Sequence, residues 1–535
     1  MKERGTKGRI SGLVFCMLSI MAMVAGCTFT PPDAPEKTIK TAALDLQQFN
    51  RREELAILKA QPSNTVSVDT LQNIANGILK TKNDSRSAGG GKPAIISEVN
   101  KLPSLTDKRF TKTVNNGRSL ENNTIEEEPV ELYCFTIENP DEENDGFILT
   151  SNDDRIGYVL AVVDDGDLTD TENPFVEVFT TKLTDYIEET ITEYDNITTE
   201  ETQAAIEKWY SIDPEARTLT AHWGIVGDDY VATGTVVSDF TKVIDKVIKT
   251  QWGQGAPYNA YVDYYQDRNN KLGPKNYIAG CGPVAVAQLV AYYGYIPNTN
   301  KPDSFTIGSG STTAKWNKSS SYDFAKLTAQ PTIGYTSGTA SEELRGQVAA
   351  LMHQVGLSIP ADYKDGSTGA DTTKTANLLR NGWSYKSDYT DFIAGTTLTE
   401  TYNSSTITYK NNSKDWVVRH LTAKPKAHPL IIVGYRLDGT EKIGHEWLID
   451  GYGTMTYYTE YLNKKGSTLV YSSTLTLTNC IMVHCNLGWN GSNDGWYIYG
   501  IFDTGHMAAL DGHKGEDGGT KRFYSHDITL FAPYR

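Results

Sequence analysis

The sequence predicts an α+β protein in which a helical lobe precedes an antiparallel β lobe, with a further α+β unit ahead of both. Three observations carry this. Gly280-Cys281-Gly282-Pro283 opens into Val284-Ala285-Val286-Ala287-Gln288-Leu289-Val290, a run of helix formers with proline where a first turn tolerates it. From 429 onward the chain reads as strand and turn, with strands at 429–435 and 444–451 around Asp438-Gly439. Further upstream, residues 130–164 alternate as strands and 175–194 carry an amphipathic helical pattern. A chain of 535 residues is too long for one ordinary core, so at least two domains are expected.

Taken in order, residues 1–27 read as a targeting segment. Lys2, Arg4, Lys7 and Arg9 precede an apolar stretch from Leu13 to Val24, too short for a comfortable membrane span. Val24-Ala25-Gly26-Cys27 looks like a bacterial lipobox. That likeness implies lipidation at Cys27, an exported lipoprotein at the cell surface or in the periplasm, and membrane contact through the lipid alone. An ordinary signal cut nearby and a retained anchor are the other readings. Residues 28–40, with Pro31, Pro32 and Pro35, suit a flexible tether. Residues 41–240 form an acidic N-terminal domain, with a helical pattern over 42–79, a Ser/Gly linker at 85–92 and a further helical pattern near 237–248. Residues 241–535 form the C-terminal domain, where Ser/Thr/Gly-rich loops at 304–321, 365–373 and 396–413 surround a helix at 342–355.

The net charge of −16 argues against a nucleic-acid binder. Six cysteines in so long a chain make no disulfide framework, and Cys134, Cys480 and Cys485 read as inert strand thiols. No C-x-x-C or H-x-x-x-H spacing appears, so neither a metal nor a cofactor is expected.

Chemistry concentrates around Cys281. A cysteine at a helix N-terminus sits at the positive end of the macrodipole, which favours the thiolate, and flanking glycines let a substrate approach. Alone, such a cysteine suits burial at a helix start better than catalysis. A nucleophile also needs a base, and His445 stands out among nine histidines, in Gly444-His445-Glu446-Trp447-Leu448-Ile449-Asp450-Gly451. Alternation puts His445, Trp447 and Ile449 on one face and Glu446, Leu448 and Asp450 on the other. Asn486, in Val483-His484-Cys485-Asn486-Leu487-Gly488-Trp489, is the candidate to orient that histidine. Gln254, with the Cys281 backbone N–H, is the candidate oxyanion donor.

These residues, with Trp252-Gly253-Gln254-Gly255-Ala256-Pro257-Tyr258-Asn259 and Asp494-Gly495, resemble the streptopain family of papain-like cysteine proteases from near 245 to the C-terminus. Leu132-Tyr133 and Gly146-Phe147-Ile148-Leu149-Thr150-Ser151-Asn152-Asp153, with the helix after them, resemble that family's propeptide, with its core at about 130–195. The resemblance implies a two-lobed papain-like fold behind an inhibitory propeptide. It implies Cys281 as nucleophile, His445 as base, Asn486 as orienter and Gln254 in the oxyanion hole. It also implies that Ser367-Thr368-Gly369-Ala370 lines the pocket for a hydrophobic side chain two residues before the scissile bond. Gly444 and Trp489 count among the substrate-binding residues, and 512–519 resembles a mobile loop beside the cleft. The chain departs from the family at Leu487, where tryptophan is usual after the asparagine, at Phe324, and in the length of its N-terminal region.

The expected activity is therefore that of an exported cysteine endopeptidase, held latent by its own propeptide and released by cleavage within about 215–245. Its partners would be peptide substrates and that propeptide. Acyl transfer of the transglutaminase kind, and a cell-surface binding protein of the same fold with weakened catalysis, are the alternatives.

Overall fold

In the computed structural model the described residues lie between Ile39 and Tyr534, leaving out 1–38 and internal stretches that include 217–228, 295–303 and 503–528. The targeting segment, Cys27, most of the tether and the 512–519 loop lie outside the described residues.

The N-terminal part runs β1 (Ile39–Asp45), α1 (Arg51–Lys59), α2 (Val68–Ala88), β2 (Ile95–Lys101), β3 (Leu132–Glu138), β4 (Gly146–Ser151), β5 (Val159–Val163), α3 (Pro174–Asp195), α4 (Thr199–Ile212) and β6 (Asp229–Ile244). The C-terminal part follows with α5 (Cys281–Tyr293), α6 (Glu342–Ser358), β7 (Lys386–Thr390), α7 (Ser413–Leu421), β8 (Leu430–Asp438), β9 (Glu441–Lys465), β10 (Thr468–Asn486), β11 (Gly495–Ile498) and β12 (Thr529–Tyr534). Short hairpins fill the loops between them. Helix starts carry their expected chemistry: Asn50 with Glu53 and Thr198 with Glu201 form capping boxes, and α3 begins with Asn173 as cap and proline in its first turn.

Both parts share one 12-stranded sheet, in the order β7-β12-β8-β9-β10-β11-β5-β4-β3-β2. Its seam is β11 against β5, where Gly495, Trp496 and Tyr497 pair antiparallel with Val163, Val162 and Ala161. The strands β1 and β6 add to the far reach of the β9–β10 hairpin. Two cores flank β8 and β9. On one face Ile432, Trp447 and Ile449 pack with Phe175, Val178 and Phe179 of α3 and with Tyr497. On the other, Ile431, Val433 and Leu448 pack with the apolar helices α5 and α6. The α+β class follows directly from these layers.

Several local expectations are corrected. Residues 39–45 form a strand, not the start of a helix, because they pair in parallel with Ser472–Thr478. Residues 237–244 belong to β6, since β9 offers them an edge; sheet pairing overrides a helical pattern in a segment rich in valine and threonine. Helix α2 continues to Ala88, through the start of the expected linker. The strand that carries His445 runs 25 residues, well past the expected 444–451.

Candidate active site

Cys281 is the first residue of α5. The turn before it is built for close approach. Gly280 has φ +95°, and a Cβ there would fall 2.7 Å from Thr368 Cγ2. A Cβ on Gly282 would fall 2.8 Å from the Ala370 Cβ and 3.1 Å from Glu446 Oε2. The expected pocket loop is therefore packed against the cysteine turn, and Thr368 is pinned there by a 2.7 Å bond from its hydroxyl to the Ile278 carbonyl.

No side chain caps α5, so its first backbone N–H groups remain for another acceptor. The N–H groups of Glu446, Gly282 and Cys281 all favour a thiolate at this position. Burial, followed by the nearby Glu446 carboxylate, outweighs them and pushes the thiol up to about 11. The expected depression of this cysteine by the helix N-terminus is thus overridden in this closed state.

His445 faces the other way, as alternation requires. Its Nε2 lies 2.9 Å from the Leu487 carbonyl. A carbonyl only accepts, so Nε2 carries the proton and Nδ1 holds the lone pair. The imidazole stacks on Trp447 at 5.8 Å, and Trp447 meets Phe175 of α3 edge-on at 5.6 Å. Burial in this aromatic nest lowers the imidazole to about 4, so it is neutral. Leu487 is itself held by a 2.7 Å bond from its N–H to Asp494 Oδ1, and burial raises that carboxyl to about 6. Neither a hydrogen bond nor an electrostatic coupling joins His445 to Cys281 in this state.

Asn486 does not meet His445 either. It pairs in register with Leu448, and directly opposed residues share a face, so Asn486 turns toward α5. There its Oδ1 accepts from Gln288 Nε2 at 2.8 Å, and its Nδ2 donates to the Thr250 carbonyl at 2.6 Å. Gln288 Oε1 in turn accepts from the Trp252 N–H at 3.1 Å. The orienting role expected of the Asn486 side chain is here taken by the Leu487 carbonyl. Gln254 is buried, and its carbonyl accepts from the Ala279 N–H at 2.9 Å, which lays the oxyanion candidate alongside the residues leading into Cys281. Gly444 and Trp489 are both partly exposed.

Three residues of this region were given no role from sequence: Glu446, Gln288 and Asp494. Gln288 did leave a signal, as the one polar side chain in an otherwise apolar helix run. Asp450 also proves structural, its Oδ2 accepting from the Ile248 N–H at 2.8 Å while Oδ1 lies 2.6 Å from His484 Nδ1. Among the described residues no group of three or more His, Cys, Asp or Glu side chains is placed to hold a metal ion.

Residues 252–497 match the profile of the Peptidase C10 family. Over this stretch, a little under half of the chain, the sequence is similar to that family and to the cysteine protease streptopain. Streptopain of Streptococcus pyogenes serotype M1 is 21% identical over 301 residues, covering 54% of this chain and 63% of that protein. A second Streptococcus pyogenes streptopain is 22% identical over the same length and coverage, so the match spans 63% of the relatives' length. Among solved structures, a fragment of Prevotella intermedia prointerpain A covers 75% of this chain and 96% of its own at 20% identity, with a TM-score of 0.41. Prevotella intermedia interpain A, a cysteine protease, covers 48% and 87% at 22% identity, with a TM-score of 0.31. The streptopain-like stretch contains Gln254, Cys281, His445 and Asn486, and its boundaries leave the N-terminal domain outside.

Proposed function

We propose that the protein is a cysteine endopeptidase made in a latent form, with Cys281 as nucleophile and His445 as base. The observation that supports it best is the pair of placements at the site. Cys281 stands at an uncapped helix start among thiolate-stabilising N–H groups, while His445 is held in the tautomer a base needs but turned into the face covered by α3. Removal of α3 would open the Trp447 nest and let the imidazole swing toward the thiol.

In the active arrangement His445 Nδ1 takes the Cys281 proton and the thiolate attacks the peptide carbonyl. The oxyanion lies between Gln254 and the Cys281 N–H. Collapse breaks the C–N bond, His445 returns the proton to the leaving amine, and water hydrolyses the thioester. The Leu487 carbonyl, fixed by Asp494, keeps the imidazole in its tautomer, and Asn486 holds the Trp252–Gln254 segment to α5 through Gln288.

The N-terminal domain is read as the intramolecular inhibitor and the junction at about 215–245 as the region cut on activation. Residues 229–244 are held in β6, so they must leave the sheet before a protease can take them. Export as a Cys27-lipidated protein belongs to the same proposal, with peptide substrates met outside the cytoplasm. Intact mass of the purified full chain over time, beside Cys281→Ala, is the test. Spontaneous shortening to a product near the size of 241–535, absent in Cys281→Ala, is expected. A wild-type thiol no more reactive than Cys480 toward an epoxide probe after N-terminal removal would sink the reading.

A further inference from the structure

We propose that Glu446 is the specificity-determining residue of this cleft and selects a basic side chain, lysine or arginine, two residues before the scissile bond. The inference rests on the cysteine endopeptidase reading and departs from the hydrophobic preference implied by resemblance.

Position comes first. Glu446 follows the base in sequence but shares the face of the nucleophile. Its Oε2 lies 3.1 Å from where a Gly282 Cβ would be, and Ala370 approaches the same point at 2.8 Å. The carboxylate thus sits between the Cys281 turn and the Thr368–Ala370 loop, the wall a substrate side chain just upstream of the scissile bond would meet. Small residues at 280, 282 and 370 make up that wall and bring the carboxylate close against it, so a substrate side chain that reaches this wall meets Glu446.

Chemistry comes second. Glu446 is 3% exposed, and its Oε1 has no hydrogen-bond partner among the described residues. A buried carboxyl with an unmade bond is destabilising, and packing alone would favour an apolar residue there. Among the described residues no cation offsets it. From α5 the titratable neighbour is Cys281, from the 367–370 loop there is none, and on its own strand His445 points to the opposite face. Desolvation alone pushes the carboxyl up to about 8. An incoming ammonium or guanidinium would reverse that shift, release the proton and form a charge-assisted pair out of water, with arginine able to bond both oxygens. A leucine or valine in the same place would bury the carboxyl further and pair with nothing. Sites built to bond a polar substrate group discriminate strongly against analogues that lack it.

The test uses processed enzyme from the full chain and fluorogenic peptides that differ only at the second residue before the cleaved bond: arginine, lysine, leucine or valine. The expected result is a kcat/KM at least about tenfold higher for arginine than for leucine, with the arginine-to-leucine ratio falling about thirtyfold in Glu446→Gln. Glu446→Asp, which keeps the charge and withdraws it by one methylene, should give an intermediate ratio. A wild-type preference for leucine or valine, with a ratio unchanged in Glu446→Gln, would overturn the proposal and leave Glu446 a structural residue. If the variants fail to fold, the wild-type ratio alone decides. Absence of cleavage of every peptide together with an unreactive Cys281 would overturn the endopeptidase reading as well, and the thiol labelling distinguishes that outcome from the first.

Discussion

The two faces of the β8–β9 ribbon differ in every respect that matters to catalysis. The α5 face is drawn from the C-terminal part and sets a few polar groups in an apolar core: Glu446 lies against the Cys281 turn, Asn486 bonds to Gln288, and Gln288 bonds to the Trp252 N–H. The α3 face is aromatic and shared with the N-terminal part, with His445 and Trp447 lying under Phe175. His445 is turned away from the α5 face that carries the thiol, because its neighbour Glu446 on β9 points to that face and α3 covers the other. The nucleophile's face is complete without the N-terminal domain, whereas the base's face is closed by it. Under the proposed reading, latency would act on the histidine and leave the cysteine turn in place.

The largest effect follows from removing the nucleophile. Cys281→Ala should reduce peptide cleavage by at least about 10³-fold, since a thioester cannot form without the thiol, and should leave the chain at full length. Fluorogenic assay and intact mass check both, and residual self-processing would break the assignment. The next prediction moves the opposite face. Phe175→Ala empties the nest under Trp447 and should cost about 3–5 kcal/mol in urea unfolding of the unprocessed chain. It should also raise the rate of epoxide labelling at Cys281 about tenfold as His445 becomes free to turn. Lost stability with unchanged labelling would show that α3 does not govern the base.

That contrast between faces explains what could be read from the sequence. Cys281, His445, Gln254 and Asn486 stand out in the sequence because each sits at a punctuated place: a glycine-flanked helix start, a glycine-entered strand, a loop and a strand end. Alternation also placed Glu446 opposite His445 from sequence alone. Which of the two faces carries the thiol was not legible, because it depends on how β9 lies over α5, a packing between segments more than 150 residues apart. The polar lattice under Asn486 was hidden for the same reason, although Gln288 in an apolar helix marked one end of it. Strands β1 and β6 were missed because their partner is the distal part of the β9–β10 hairpin, and no local pattern reports a partner that far away.

The lattice can be tested by itself. Gln288→Leu keeps the volume of the side chain and removes its bonds to Asn486 and the Trp252 N–H. Leaving those buried groups unpaired should cost about 1–3 kcal/mol, read by urea unfolding in a Cys281→Ala background to prevent self-cleavage. In active protein the same change should lower kcat more than it raises KM, since Gln254 follows the freed Trp252 segment. A change confined to stability would restrict Gln288 to a structural role.

The smallest effect is a pH dependence of the latent form that isolates the Glu446 face from the His445 face. Burial raises Glu446 from an ordinary 4.5 to about 8, so between those values the folded chain holds a proton the unfolded chain has released. Stability then falls as pH rises through that window. His445, lowered to about 4, works in the opposite sense: the unfolded chain binds its proton more readily between about 4 and 6.5, so stability rises across that range and is constant above it. Asp494, raised to about 6, has finished its contribution by that pH. Glu189, which burial also raises to about 8, shares the sign of Glu446 and is removed by taking a difference. In a Cys281→Ala background, the stability of the Glu446 protein minus that of Glu446→Gln should therefore decline by about 1.5 kcal/mol between pH 6.5 and 8, while staying nearly level from pH 8.5 to 9. Parallel curves across pH 6.5–8 would mean that the carboxyl is already ionised in the latent chain, and that a cation or water reaches the α5 face before activation.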